Sequence, residues 1–149
     1  MNALVRAAGL QDIDLVVPLF DGYRQFYGRT SDEILARAFL QERMKRKESV
    51  IFLAEVNGRA VGFTQLYPSF TSTGAARIWI LNDLFVDPQS RGHGIASRLL
   101  EAAVTFSKET GAVRLSLSTA VTNRAAQALY ERRGWKKDTE FLHYTLANQ

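Results

Sequence analysis

The chain has 149 residues, 46% of them apolar and 23% charged, which is the size and balance of one domain with a proper core over residues 1–149. That balance excludes a disordered chain, and the lack of cysteine excludes a disulfide scaffold, thiolate metal sites and a cysteine nucleophile. No apolar run approaches the roughly 20 residues of a membrane span, and the net charge of +4 is mild, with no nucleic-acid reading motif beside it. The opening residues Met1-Asn2-Ala3-Leu4-Val5-Arg6 lack a basic-then-apolar leader pattern. A cytoplasmic location is therefore expected, with no membrane and no nucleic acid as partner.

Residues 12–27 carry apolar side chains at helical spacing: Ile13, Val16, Val17, Phe20, Tyr23 and Tyr27. Pro18 offers a kink or break inside this helix, and Gly28 can end it. Ser31 is a suitable N-cap for a second helix over 32–47, with acids first and bases last. Residues 50–56 read as a strand, Asn57-Gly58 as a tight turn and 60–67 as the returning strand. Residues 68–76 read as a loop and 77–86 as another strand, stopped by Asp87-Pro88. A helix follows over 95–110, ended by Gly111, and then a strand over 113–119. Asn123 can cap a helix running to Arg133, with Gly134 after it, and 141–146 reads as a last strand. The strand-helix-strand unit requires a parallel pair, because the crossover helix packs back on its sheet. The fold class is α+β on a mixed sheet.

Between a strand and a helix stands Gln89-Ser90-Arg91-Gly92-His93-Gly94-Ile95-Ala96. A phosphate needs several backbone N–H groups aimed at one point, and a helix N-terminus supplies them with a favourable dipole. Glycine at two positions keeps side chains out of the way, and Arg91 adds a charge for phosphate oxygens. A Walker loop would need lysine and a hydroxyl residue where Ile95 and Ala96 stand, and a dinucleotide fingerprint a third glycine where Ser97 stands. A bare Gly-x-Gly also suits an ordinary flexible turn.

The pattern Gln89-x-x-Gly92-x-Gly94 resembles the acetyl-CoA signature of the GNAT acetyltransferase superfamily, (Gln/Arg)-x-x-Gly-x-(Gly/Ala). Leu84-Phe85-Val86 before it and Ala96-Ser97-Arg98-Leu99-Leu100 after it look like that family too. So do Asn123, Ala128-Leu129-Tyr130-Glu131 and Gly134-Trp135 further on. The likeness in element order spans the chain; in motif it spans residues 80–135. It implies the GNAT fold, with a central twisted mixed sheet of about six or seven strands flanked by about four helices. It implies acetyl-CoA as co-substrate, no metal, and direct transfer of acetyl to a primary amine in a ternary complex. The acceptor classes left open are a polyamine, an amino acid, a protein lysine or N-terminus, and an antibiotic amine.

The resemblance also implies roles. The backbone of Leu84, Phe85 and Val86 would pair with pantetheine. Gln89, Arg91, Gly92, His93, Gly94, Ile95 and Ala96 would hold the pyrophosphate. Asn123 and Tyr130 lie about two helical turns apart on nearly one face, with Ala126 between them leaving room for the pantetheine arm. Tyr130 would serve as the acid for the leaving sulfur; alone, it is equally readable as a packed aromatic. The stretch Ile80-Leu81-Asn82-Asp83-Leu84-Phe85-Val86 looks most like diamine acetyltransferases and a yeast branch associated with histones and polyamines. Diamine acetyltransferases carry a glutamate base at the position of Asn82, and asparagine takes no proton at neutral pH. The base is then Asp83 or a water held by Asn82, or the amine arrives neutral. Strand alternation sets Asn82 and Leu84 on one face and Asp83 and Phe85 on the other, and Asp83 also reads as a buried structural carboxylate.

Tyr23, Phe26, Tyr27 and Arg29 cluster at the end of the first helix, a region the family places over the acceptor. Aromatic faces suit cationic amines, although Tyr23 and Tyr27 also fit a core. Phe70 in the 68–76 loop is a second candidate wall. His93 and His143 are too isolated for a metal site. The family's habit of pairing implies a homodimer, with Phe141, Leu142, Tyr144 and Leu146 of the last strand exposed for it. Competing readings are a non-catalytic acyl-CoA sensor of the same fold and a nucleotide or nucleic-acid binder.

Overall fold

Leu4–Ala7 forms a first strand, β1, that nothing in the sequence marked. Its four residues are too few for a pattern, and it exists through its pairing with β2 (Val50–Val56), Leu4 opposite Glu55 and Ala7 opposite Phe52. The computed structural model describes residues 2–148. β2 turns into β3 (Arg59–Thr71) through Asn57 and Gly58, whose φ of 51° and 77° suit a hairpin whose twist matches its strands. β3 pairs antiparallel with β4 (Ala76–Val86), and β4 pairs parallel with β5 (Leu115–Leu117). The sheet has five strands in the order β1-β2-β3-β4-β5.

The β3–β4 hairpin is longer than expected. Residues 68–71, expected in a loop, continue β3, and Phe70 stands opposite Arg77. Pro68 is tolerated there because β2 reaches only Leu66, so β3 has an open edge beyond it.

α1 (Ile13–Phe26) runs through Pro18 without a break. Pro18 and Asp14 both lie on the solvent face of the helix, where the loss of one backbone hydrogen bond is tolerated. α2 (Glu33–Lys45) is capped by Asp32, whose side chain accepts from Leu35 N–H at 3.0 Å, rather than by Ser31. The Ser31 hydroxyl is taken by Asp21 at 2.6 Å instead. Both helices cover one face of the sheet, where Val16, Val17, Phe20 and Leu40 pack on Ile51, Leu53 and Phe63. α3 (Ile95–Glu109) covers the other, with Ile95 and Leu99 on Ala54, Val61 and Val86. Alternation along β2 and β3 thus feeds two cores, which is why both strands read as near-continuous apolar runs.

Residues Thr119–Gln149 form a separate compact unit. It contains α4 (Arg124–Arg132), capped by Asn123, which accepts from Ala126 N–H at 3.1 Å. The last strand expected over 141–146 is not formed; with β1 gained, the described residues hold five strands, as many as the pattern gave and fewer than the six or seven the resemblance implies. Asp138 Oδ1 bends the approach to 141–146 by accepting from the N–H groups of Glu140 and Phe141. Phe141, Leu142, Tyr144 and Leu146 are exposed.

Candidate active site

β4 changes neighbours along its length. Its outer edge meets β5 only at Trp79, Ile80 and Leu81. Beyond Leu81 that edge carries no strand among the described residues. The N–H of Asp87 donates to Val61 O at 2.8 Å, so the backbone groups of Phe85 also turn toward β3. Those of Leu84 and Val86 then turn to the open edge. Val86 O is met there by Arg91 Nε at 2.9 Å. The N–H and C=O of Leu84 and the N–H of Val86 remain, a row that an extended amide chain can pair with as an added strand.

The strand ends in a braced turn. Asp87 accepts from Gln89 N–H at 3.3 Å through its side chain and from Ser90 N–H at 2.8 Å through its carbonyl. Ser90 is buried, whereas Gln89 and His93 are exposed. Gly92 and Gly94 have φ of 83° and 76°, the left-handed region that favours glycine. No heavy atom lies within 4 Å of where either Cβ would stand. Backbone direction therefore demands glycine here, and the space outside the turn stays clear. The first bond of α3 runs from Arg98 N–H to Gly94 O at 3.2 Å. Among the described residues, no backbone N–H from 91 to 97 donates to a protein acceptor. Unsatisfied donors at the positive end of a helix dipole fit a pyrophosphate. Ile95 can offer only its backbone, because its side chain is buried in the core below; Ala96 is half-buried. Arg91 lies against Phe26 and Phe85, 5.8 and 5.5 Å from their ring centres. It braces the turn against the end of α1, and its terminal nitrogens are the part left for phosphate.

The middle of β4 is irregular. Gln65 pairs with Asp83 but Leu66 pairs with Leu81, so Asn82 is an extra residue, a β-bulge. Plain alternation would separate Asn82 from Asp83. The bulge instead lets Asn82 Nδ2 donate to Asp83 Oδ1 at 2.8 Å. Asp83 is 1% exposed, and its Oδ2 accepts from Gln65 Nε2 at 2.6 Å. The Tyr23 hydroxyl donates to Asn82 O at 3.1 Å and lies near enough to Asp83 to favour its charged form. Burial outweighs these donors and pushes the Asp83 carboxyl up to about 6. Tyr67 is half-buried beside it, its phenol raised by burial and by the Asp83 charge, against the pull of Arg43. Above this cluster the end of α1 presents an aromatic ladder, with Tyr27 5.1 Å from Tyr23 and 5.2 Å from Phe26 between ring centres. Tyr23 is packed on Phe63, while Phe26 and Tyr27 are 57% and 52% exposed.

Residues 16–135 match the acetyltransferase (GNAT) family. The chain belongs to that family. A Bacillus subtilis protein described as the uncharacterized N-acetyltransferase YhfO is 49% identical over 95% of both chains. A solved structure of a probable acetyltransferase is 45% identical, with a TM-score of 0.93 over 98% of each chain. The fold is shared, at 18% identity and a TM-score of 0.81 over 97% of this chain and 95% of the other, with an aminoglycoside N-acetyltransferase, AAC(6')-Iy, in complex with CoA. The protein is an acetyl-CoA-dependent N-acetyltransferase.

In this acetyltransferase the turn and the bulge are brought together by β4, since Asp83 directly precedes the open edge at Leu84. Phe70 is not part of that cluster. It lies exposed near the hairpin tip under the Arg77 guanidinium, 4.5 Å from the ring centre, and roughly 17 Å along the strands from Asp83. In the second unit, Asn123, Ala126 and Tyr130 share a half-buried face of α4 as their spacing predicts. Asn123 spends its Oδ1 on the cap and keeps its amide nitrogen. Tyr130 packs 6.0 Å from Trp135 between ring centres, and its carbonyl accepts from Trp135 N–H at 3.0 Å. Sequence reasoning missed Gln65. Its signal was a polar residue in the apolar run Val61-Gly62-Phe63-Thr64-Gln65-Leu66.

Proposed function

We propose that this acetyltransferase acetylates a primary amine directly, with Asp83 as base and Tyr130 as acid. The observation that carries the reading is the buried Asp83 carboxyl, raised to about 6, at the foot of the aromatic ladder and next to the open edge of β4. A base poised near neutral pH removes a proton efficiently yet is ionised when the amine arrives. Tyr23, Phe26 and Tyr27 offer π faces to a cationic amine. Asn82, exposed beside a buried Asp83, stands between the carboxylate and the cleft and holds Oδ1 in place.

The donor supplies an acetyl thioester, whose C–S bond breaks as the amine nitrogen bonds to the carbonyl carbon. Leu84 and Val86 hold the pantetheine, and Gln89, Arg91, Gly92, His93, Gly94, Ile95 and Ala96 hold the pyrophosphate, mainly through backbone N–H groups. The family likeness assigns Asn123 and Ala126 of α4 to the pantetheine as well. The bound ammonium first loses one proton to solvent, so that a neutral amine attacks, and the second proton, lost by nitrogen during acyl transfer, goes to Asp83. The phenol of Tyr130 gives a proton to the departing sulfur, and solvent carries the Asp83 proton back to the phenolate. Phe70, on this reading, is a wall only for a long acceptor.

The test is thiol release from acetyl-CoA with a panel of polyamines, amino acids and basic peptides. Stimulation by at least one amine class is expected. Tight CoA binding with no stimulation by any of them would replace this reading with an acyl-CoA sensor. The exposed apolar side chains at Phe141, Leu142, Tyr144 and Leu146 support a homodimer through this segment. Sedimentation showing a monomer at working concentration refutes it. A cytoplasmic site of action accords with the use of acetyl-CoA.

A further inference from the structure

Gln65 is 0% exposed in a central strand, on the same face as Phe63. A buried primary amide is costly to desolvate and persists where something needs it. Its Nε2 donates to Asp83 Oδ2 at 2.6 Å, while its Oε1 is buried with no hydrogen-bond partner. An ionised carboxylate only accepts and so takes the amide nitrogen. A protonated carboxyl donates and takes the amide oxygen, which a half-turn about the last side-chain torsion presents. One amide can thus serve both protonation states of its neighbour without any movement of the strand.

We propose that Gln65 is the positioning residue of the catalytic base: Nε2 fixes the Asp83 carboxylate before transfer, and Oε1 accepts a hydrogen bond from the carboxyl O–H once Asp83 has taken a proton from the amine. This rests on the reading of Asp83 as base. The other ionisable and charged groups facing Asp83 are Tyr23 from α1, Tyr67 from β3 and Arg43 from α2, the last acting through Tyr67.

The experiment is the pH profile of kcat for the wild type, Gln65→Leu, Gln65→Met, Gln65→Glu and Asp83→Asn, with the best amine of the panel. Removing the Nε2 donor disfavours the charged form of Asp83. Gln65→Leu and Gln65→Met should each move the acidic limb up by about one pH unit and lower kcat at pH 6 about fivefold. Gln65→Glu sets a second carboxyl against the first, so the pair shares a proton and the limb moves further. The KM for acetyl-CoA should stay within about twofold, since the turn is built by other residues. Melting curves establish that each variant is folded, and Met preserves the side-chain length if Leu disturbs the strand. Folded Leu and Met variants whose limb coincides with the wild type, while Asp83→Asn is inactive, overturn the role of Gln65 and leave the base in place. Asp83→Asn retaining both rate and limb overturns the base, and this inference with it.

Discussion

The two ends of the β4 site solve their chemistry differently. At the donor end, residues 84–97 present backbone groups: the open edge at Leu84 and Val86, and the unpartnered N–H groups around Gly92 and Gly94. At the proposed acceptor end, Asn82 and Asp83 would act through side chains, held by a bulge, by Gln65 and by Tyr23. A backbone cradle needs only a particular φ and clear space, so few residues specify it. A tuned carboxyl needs burial, donors and a register shift, which come from three elements distant in sequence. The donor end should therefore resist most side-chain changes and fail at its glycines, whereas the acceptor end should respond to each partner.

The largest effect is expected at Asp83. Asp83→Asn should lower kcat by about 10²–10⁴, the usual span for a lost general base. The stability sign runs opposite. The carboxyl goes from about 3.8 unfolded to about 6 folded, so between these values the native state holds a proton that the unfolded chain lacks. Stability falls as pH rises through that window and stays low above it, a cost of roughly 3 kcal/mol. Asparagine removes this cost, less whatever the donors of Gln65 and Asn82 lose. The variant should melt at or above the wild type at pH 8, and that advantage should shrink at pH 5. A variant that stays active and melts several degrees lower at pH 8 would make Asp83 a structural carboxylate.

Tyr130→Phe comes next, with kcat lowered about 10²-fold and acetyl-CoA affinity held within about twofold. Calorimetric titration with acetyl-CoA beside turnover checks it. An unchanged rate removes Tyr130 from the chemistry.

Gly94→Ala probes the backbone end. The left-handed φ of 76° costs an L-residue about 1–2 kcal/mol, and nothing nearby clashes with the added carbon. The expected result is a KM for acetyl-CoA raised about tenfold, with a smaller change in kcat. His93→Ala, beside it, should change KM by less than about twofold, because only its backbone is asked to serve. An equal effect at both positions would mean that the turn recognises its ligand through side chains.

How much of this was legible follows the same division. Gly92 and Gly94 announce themselves because the required φ nearly names the residue. Asn57-Gly58 and Asn123 were legible for similar local reasons. The bulge at Asn82 was not, because register is a property of a pair and only one strand is read at a time. Gln65 could be seen as a polar residue in an apolar run, but its partner Asp83 lies across the sheet. The 141–146 segment shows the reverse error: it has strand-forming residues, yet a strand exists only beside another. β1 is the converse, a segment too short for a pattern that pairs because β2 has a free edge. Ser31 lost its cap role to Asp32 because Asp21, a helix away, takes its hydroxyl.

That last contact yields the smallest effect and extends the comparison beyond β4. Asp21 is buried and accepts from Ser31 Oγ at 2.6 Å, Asp32 N–H at 2.8 Å and Gln25 Nε2 at 3.0 Å. Burial alone would raise its carboxyl, but these donors and nearby Arg24 outweigh it and hold the group below the usual range. Such a group stabilises the fold above the unfolded value, and that contribution is lost as pH falls through the depressed folded one. Asp21→Asn should therefore cost about 1–3 kcal/mol near pH 7, with the gap to the wild type closing below about pH 4. Asp21 ties the loop after α1, whose last turn carries Phe26 and Tyr27. The acceptor KM should rise a few-fold while the acetyl-CoA KM stays put. If both constants move together, the end of α1 serves the donor as well, and Arg91 against Phe26 is the contact that joins the two ends.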